Sequence, residues 1–83
     1  MARRKRKAPK GLPVVRLTEK QLQAARLYAR GKTIGEVAEA LGVSEPTAKQ
    51  HLARVRVLTG VSRSRDIHEK LELLEEFGHL EVV

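Results

Sequence analysis

The chain has 83 residues, no cysteine and a formal net charge of +7. That length admits one small domain, and the missing thiols exclude disulfides and thiolate metal sites. Tyr28 and Phe77 are the only aromatic residues, so the core must come from Leu, Val, Ile and Ala, which suits packed helices better than a β-sandwich.

The opening stretch, "MARRKRKAPKGLP", places Arg3, Arg4, Lys5, Arg6, Lys7 and Lys10 within ten residues. Like-charge repulsion, with Pro9, Gly11 and Pro13, opposes packing there, and residues 1–16 read as a flexible basic arm. Such an arm suits phosphates or a minor groove, although a merely solubilising tail has the same composition. It lacks the apolar stretch of a signal peptide, and no apolar run nears the roughly 18 residues that span a membrane. The expected location is the cytoplasm, with no membrane partner.

Ordered structure is expected from Leu17. Thr18 with Gln21 three residues on is a capping-box pattern, and Leu17 with Leu22 can form the hydrophobic staple. The first helix then runs from about Glu19 to Arg30, with Gly31 as its left-handed stop. Thr33 and Glu36 repeat the cap. Ile34, Val37, Ala38 and Leu41 follow at i, i+3, i+4, i+7 as an apolar stripe, and Gly42 ends this second helix. Ser44 caps the next, and Glu45 suits its first turn. Pro46 is tolerated there because early helical N–H groups have no intrahelical acceptor.

The third helix turns Ala48, Leu52, Val55 and Thr59 inward and ends at Gly60. At about 100° per residue, its opposite face is Pro46, Gln50, Ala53 and Val57, flanked by Lys49 on one side and Arg54 on the other. The short link Gly42-Val43-Ser44 sets two helices at a steep angle, which is the helix-turn-helix pattern. One helix braces while the other presents its outer face to a major groove about 12 Å wide, which admits an α-helix. Gln50 can pair bidentately with adenine, and Arg54 or Lys49 with guanine. Ala53 is small enough to touch a thymine methyl.

A fourth helix is expected from about Arg65 to Phe77, with Ile67, Leu71 and Leu74 at i, i+4, i+7. Leu73, Phe77, Leu80, Val82 and Val83 add apolar surface that so small a domain is not expected to bury fully, and 79–83 read as a short C-terminal tail. Charge divides along the chain. Residues 1–65 hold sixteen basic and four acidic side chains, whereas residues 66–83 hold one basic and six acidic ones. The asymmetry implies a polyanion-facing body and a terminal region that faces something else.

Metal and enzyme chemistry find no support in the pattern. His51, His68 and His79 lack the spacing of a zinc site, so neither metal nor cofactor is expected. The glycines form neither GxGxxG nor a P-loop, and Ser44, Ser62 and Ser64 lack an elbow motif. No catalytic residue is expected.

From Leu17 to about Ile67 the sequence resembles the LuxR-type (GerE-like) helix-turn-helix domain of bacterial transcription regulators. The resemblance rests on "LTEKQ...LYARGKTIGEVAEALGVSEPTAKQHLARV" and the "TGVSR" that follows. It is carried by Leu17, Thr18, Ala29, Gly31, Thr33, Glu36, Val37, Ala38, Leu41, Val43, Ser44, Glu45, Thr47, Lys49, His51, Val55, Gly60 and Val61. With the disordered basic arm read from composition, it implies an all-α fold: a compact four-helix helix-turn-helix domain over residues 17–78. It also implies that the third helix, about 45–59, enters the major groove of double-stranded DNA. Lys49, Gln50 and Ala53 then occupy base-facing positions, with Arg54 a further candidate. Thr33, Ser44 and Thr47 sit where helix N-termini and hydroxyls meet phosphates, and Arg56 is added as a phosphate candidate. A homodimer through the fourth helix is implied too, with Ile67, Leu71 and Leu74 at its interface. Departures include Gly35, at a place where a basic or polar phosphate contact is common. The inverted Arg63-Ser64 order leaves the start of the fourth helix open.

The function expected from these features is a sequence-specific DNA-binding transcription regulator, cytoplasmic and nucleoid-associated. Two other functions stay open. One is an adaptor similar to region 4 of sigma factors, docking RNA polymerase or another regulator through its acidic fourth helix. The other is a non-specific architectural binder led by the arm.

Overall fold

Three of the four helices start at a hydroxyl side chain that closes the first turn. The computed structural model describes residues 11–83. Its helices are α1 (Glu19–Ala29), α2 (Ile34–Leu41), α3 (Glu45–Thr59) and α4 (Ser64–Glu76), flanked by strands β1 (Val15–Leu17) and β2 (Leu80–Val82). At α1, Thr18 Oγ1 accepts the Gln21 N–H at 3.2 Å and Gln21 Oε1 accepts the Thr18 N–H at 3.0 Å. Thr33 and Glu36 make the same reciprocal pair at α2, with distances of 3.2 and 3.1 Å. Ser44 Oγ accepts the Thr47 N–H at the start of α3. Each cap satisfies backbone donors that the helix itself leaves unpaired. Arg63 precedes α4 and provides no such side-chain bond, so α4 starts without the local signal that the other three carry.

The turn between α2 and α3 depends on Gly42, whose φ of 67° is left-handed. A side chain there would cost roughly 1–2 kcal/mol through its contact with the following carbonyl. Lys20 Nζ donates to the Leu41 carbonyl at 3.0 Å, so α1 satisfies an acceptor that the end of α2 leaves open. Gly60 closes α3 in the same way as Gly42 closes α2, at φ 76°.

The core consists of two clusters. Ala24, Val37, Ala38, Leu41, Ala48 and Leu52 join α1, α2 and α3. Val15, Leu17, Ala25, Val55, Ile67, Leu71 and Leu74 join β1, α1, α3 and α4. Tyr28 packs against both. The neighbours Ala24 and Ala25 lie in different clusters, so α1 is the wall between them.

The expected outer boundaries need correction. Residues 15–17, assigned to the arm and the first helix entry, form β1, and the expected tail forms β2. The two strands pair in parallel, with Val15 opposite Leu80, Arg16 opposite Glu81 and Leu17 opposite Val82. Val15 N–H donates to the His79 carbonyl and Val83 N–H to the Leu17 carbonyl. Alternation explains the placement: Val15 and Leu17 point into the core and are buried, while Arg16 between them faces solvent and pairs with Glu81 at 2.8 Å. The helical body matches the expected all-α bundle, and the parallel strand pair is an addition to it. The arm residues Arg3, Arg4, Lys5, Arg6, Lys7 and Lys10 lie outside the described residues. Among the described residues, no helix is long and apolar enough to cross a membrane.

Candidate nucleic-acid interface

Helix α3 is two-faced as its periodicity requires. Ala48, Leu52, Val55 and Thr59 are buried, and Thr59 Oγ1 donates to the Val55 carbonyl at 2.7 Å, so even its polar inward residue is satisfied. Pro46, Lys49, Gln50, Ala53, Arg54 and Val57 are exposed. The side chains of Lys49, Gln50 and Arg54 make no hydrogen bond or ion pair with any other described residue. The four residues expected to face bases therefore share one open surface, with Ala53 as the low point between longer polar side chains. Buried polar groups need partners, but these exposed ones leave their side-chain donors and acceptors open to solvent.

The hydroxyl residues expected at phosphates gather near the N-terminal ends of α2 and α3. Ser44 Oγ and Thr47 Oγ1 are 2.9 Å apart, one donating to the other. Thr33 Oγ1 accepts the Glu36 N–H, and the Glu36 carboxylate accepts the Thr33 N–H. That backbone hydrogen bond, followed by the Thr33 side chain and the nearby Lys32 charge, holds the Glu36 carboxyl below the usual glutamate range, against a small opposing effect of burial. Lys32 Nζ is 3.9 Å from the same carboxylate.

Two of the expected sets have partners inside the chain. Arg56, expected at a phosphate, turns onto α1 instead. Its Nη2 donates to Tyr28 Oη at 3.0 Å, its guanidinium lies 5.2 Å from the Tyr28 ring centroid, and its Nε is buried without a hydrogen-bond partner. The cause is angular position: Arg56 lies on the flank of α3 that faces α1, where stem and ring shield each other from water. Ile67, Leu71 and Leu74, expected at a dimer interface, are buried inside the single chain against α1 and β1. An apolar stripe serves one partner, and here that partner is the chain's own core.

Other features of this region were not anticipated. The Glu45 carboxylate folds back against Gly35 on α2, so a side-chain carbon at Gly35 would require the exposed Glu45 side chain to turn away. On the far side, the acidic α4 has partners within the chain: Glu75 pairs with Arg26 at 2.5 Å, and the Glu72 carboxylate lies 3.4 Å from the His68 ring. A shallow groove along α4 is lined by Val61, Asp66, Glu69, Lys70, Glu72 and Leu73.

A family model described as a homeodomain-like domain of the helix-turn-helix type matches residues 16–63, more than half of the chain. The match begins in β1 and stops one residue before α4, so it covers the capped helices and the outward face of α3. Comparison with curated proteins gives no match, and comparison with solved structures gives none either.

Proposed function

The chain belongs to the homeodomain-like helix-turn-helix family, and from that premise we propose that it is a sequence-specific transcription regulator that reads double-stranded DNA through α3. The observation that carries this is the exposed, unpartnered set Lys49, Gln50 and Arg54 around Ala53, on a helix whose other face is buried. Within the family, the run from Leu17 to Val61 supports the LuxR type. Backbone attraction to the basic chain supplies affinity, with hydroxyls at Ser44, Thr47 and Thr33 as positioning contacts. Gln50 pairs with adenine, Lys49 or Arg54 with guanine, and Ala53 meets a thymine methyl.

Selection from random duplex DNA at near-physiological salt tests this. An enriched motif supports it, and a palindrome with half-sites about one helical turn apart would add a symmetric dimer. Gln50→Ala and Arg54→Ala should each lower preference for the enriched site by about 1–3 kcal/mol. Tight, salt-sensitive binding with no enriched motif would reject sequence reading in favour of an architectural role.

A second function is supported by the α4 groove, which carries three carboxylates and lies mostly outside the matched region. It fits an adaptor that docks RNA polymerase or another regulator. Charge reversal at Glu69 and Glu72 would then abolish regulation while leaving DNA affinity intact.

A further inference from the structure

The most basic and the most acidic stretches of the chain are joined at one point. Leu12 packs against the core, and its carbonyl accepts a hydrogen bond from His79 Nδ1 at 3.1 Å. The His79 carbonyl accepts the Val15 N–H, and the His79 N–H donates back to the Leu74 carbonyl near the end of α4. Residues 1–10, with six basic side chains, are therefore tethered beside the C-terminal end of α4. Ten residues span at most roughly 33–36 Å. The 13 residues of α4 rise about 20 Å, so the tether reaches any point along that helix. The groove on α4 is lined by the apolar Val61 and Leu73 and by Asp66, Glu69 and Glu72, with Lys70 among them. The side chains of Asp66 and Glu69 make no hydrogen bond or ion pair with any other described residue. Glu75, outside the groove, is instead taken by Arg26.

We propose that this groove on α4 docks the chain's own basic arm, residues 1–10, when no DNA is bound. The docking stands on the tether and on charge; its consequence for binding rests on the DNA-binding function proposed above. Three carboxylates against one ammonium give the groove the sign opposite to that of the arm. Lys and Arg stems can cover Val61 and Leu73 while their charged heads reach the carboxylates. A single exposed ion pair contributes little. The tether compensates, because it holds the arm at an effective concentration on the order of millimolar. DNA phosphates draw on the same cations, so a duplex must displace the arm from α4 before the arm can add to affinity.

The test uses the full chain, which has no cysteine, so a nitroxide attached at Ala2→Cys is the sole spin label. Broadening of the Lys70 and Leu73 amides by this label is followed by NMR without DNA. The groove variant combines Glu69→Gln with Glu72→Gln, both exposed, and Glu39→Gln removes an exposed α2 carboxylate as a control. The label should broaden both amides at low salt in the otherwise unchanged chain and in the control. That broadening should be lost in the groove variant, and lost in every chain at 1 M salt, where the screening length is about 3 Å. Equal broadening in groove variant and control overturns the proposal. So does broadening that arises only between separately labelled chains in a mixture, which would place the arm on a second copy.

Random-duplex affinity at low salt should rise about fivefold in the groove variant, as expected where about four in five arms are docked. The gain should vanish once Lys5→Gln, Arg6→Gln and Lys7→Gln are added. No gain, or a gain that persists without those charges, overturns the competition with DNA. An adaptor surface at the same groove requires unchanged DNA affinity instead. Should the wild type bind no duplex at any salt, the DNA-binding function fails, and the broadening still decides whether the arm docks.

Discussion

The two clusters of the core are held by different kinds of information. In the helix-turn-helix half, every element is announced locally. A hydroxyl starts each helix, a residue three positions on completes the cap at α1 and α2, and a left-handed glycine ends α2 and α3. In the other half, β1 and β2 meet across 65 residues, and α4 starts without a side-chain cap. Parallel strands need a crossover between them, and here the whole helical bundle is that crossover. The first half can form as soon as its neighbours fold; the second closes only when both chain ends reach the same place. Family membership follows the same division, since the match covers the locally encoded half and stops before α4.

The largest expected effects probe whether these halves are one cooperative unit. Leu52 is fully buried in the helix-turn-helix cluster and Leu74 in the other. Replacing either with alanine should cost about 2–5 kcal/mol, a large fraction of the roughly 5–15 kcal/mol that small domains possess. The chain has no tryptophan and one tyrosine, so Tyr28 emission reports the junction while far-UV circular dichroism reports helix. In both variants the two signals should melt together, because α1 and Tyr28 belong to both clusters. Separate transitions in Leu74→Ala would show that the terminal half unfolds by itself.

The same contrast explains what the sequence made legible. All four helices were readable to within one residue at their ends because caps and apolar stripes act over three to seven residues. The outward set Lys49, Gln50, Ala53 and Arg54 followed from helical geometry alone. The strands were not readable: Val15 and Leu17 alternate over three residues only, and nothing near them points to Leu80 or Val82. The Tyr28 contact of Arg56 was not readable for a related reason. Charge suggests a phosphate, whereas the contact within the chain depends on Tyr28, 28 residues away in sequence on a different helix. The stripe Ile67, Leu71 and Leu74 was identified correctly as apolar and given the wrong partner, because periodicity shows that a face is buried without showing against what.

A smaller effect sharpens the comparison at the junction. Tyr28→Phe keeps the ring beneath Arg56 and removes only the oxygen that accepts its Nη2 hydrogen bond. The expected cost is about 1 kcal/mol, seen as a lower denaturant midpoint with unchanged m-value. Preference for the selected DNA site should stay the same, since the base-facing residues lie on other positions of α3. A loss of sequence preference comparable to that of Gln50→Ala would show that Arg56 takes part in reading after all.

The smallest effect separates two capping boxes that differ in one respect. At α1 the box is closed by Gln21, which does not titrate; at α2 it is closed by Glu36, whose carboxyl is held below its ordinary range chiefly by the Thr33 N–H. Since the folded chain releases this proton more readily than the unfolded one, the stabilisation is complete above the unfolded glutamate value. It declines as pH falls through that value and is gone once the folded carboxyl is also protonated. Glu36→Gln retains an acceptor for the Thr33 N–H and removes the titration. Its stability curve should therefore meet that of the wild type in strong acid and fall below it towards neutrality. Gln21→Glu should install the same acid-side decline at α1, because the geometry of the two boxes is alike. If Glu36→Gln leaves the pH dependence unchanged, the Thr33 contact is as favourable to the acid as to the carboxylate, and the two boxes are equivalent in practice as well as in form.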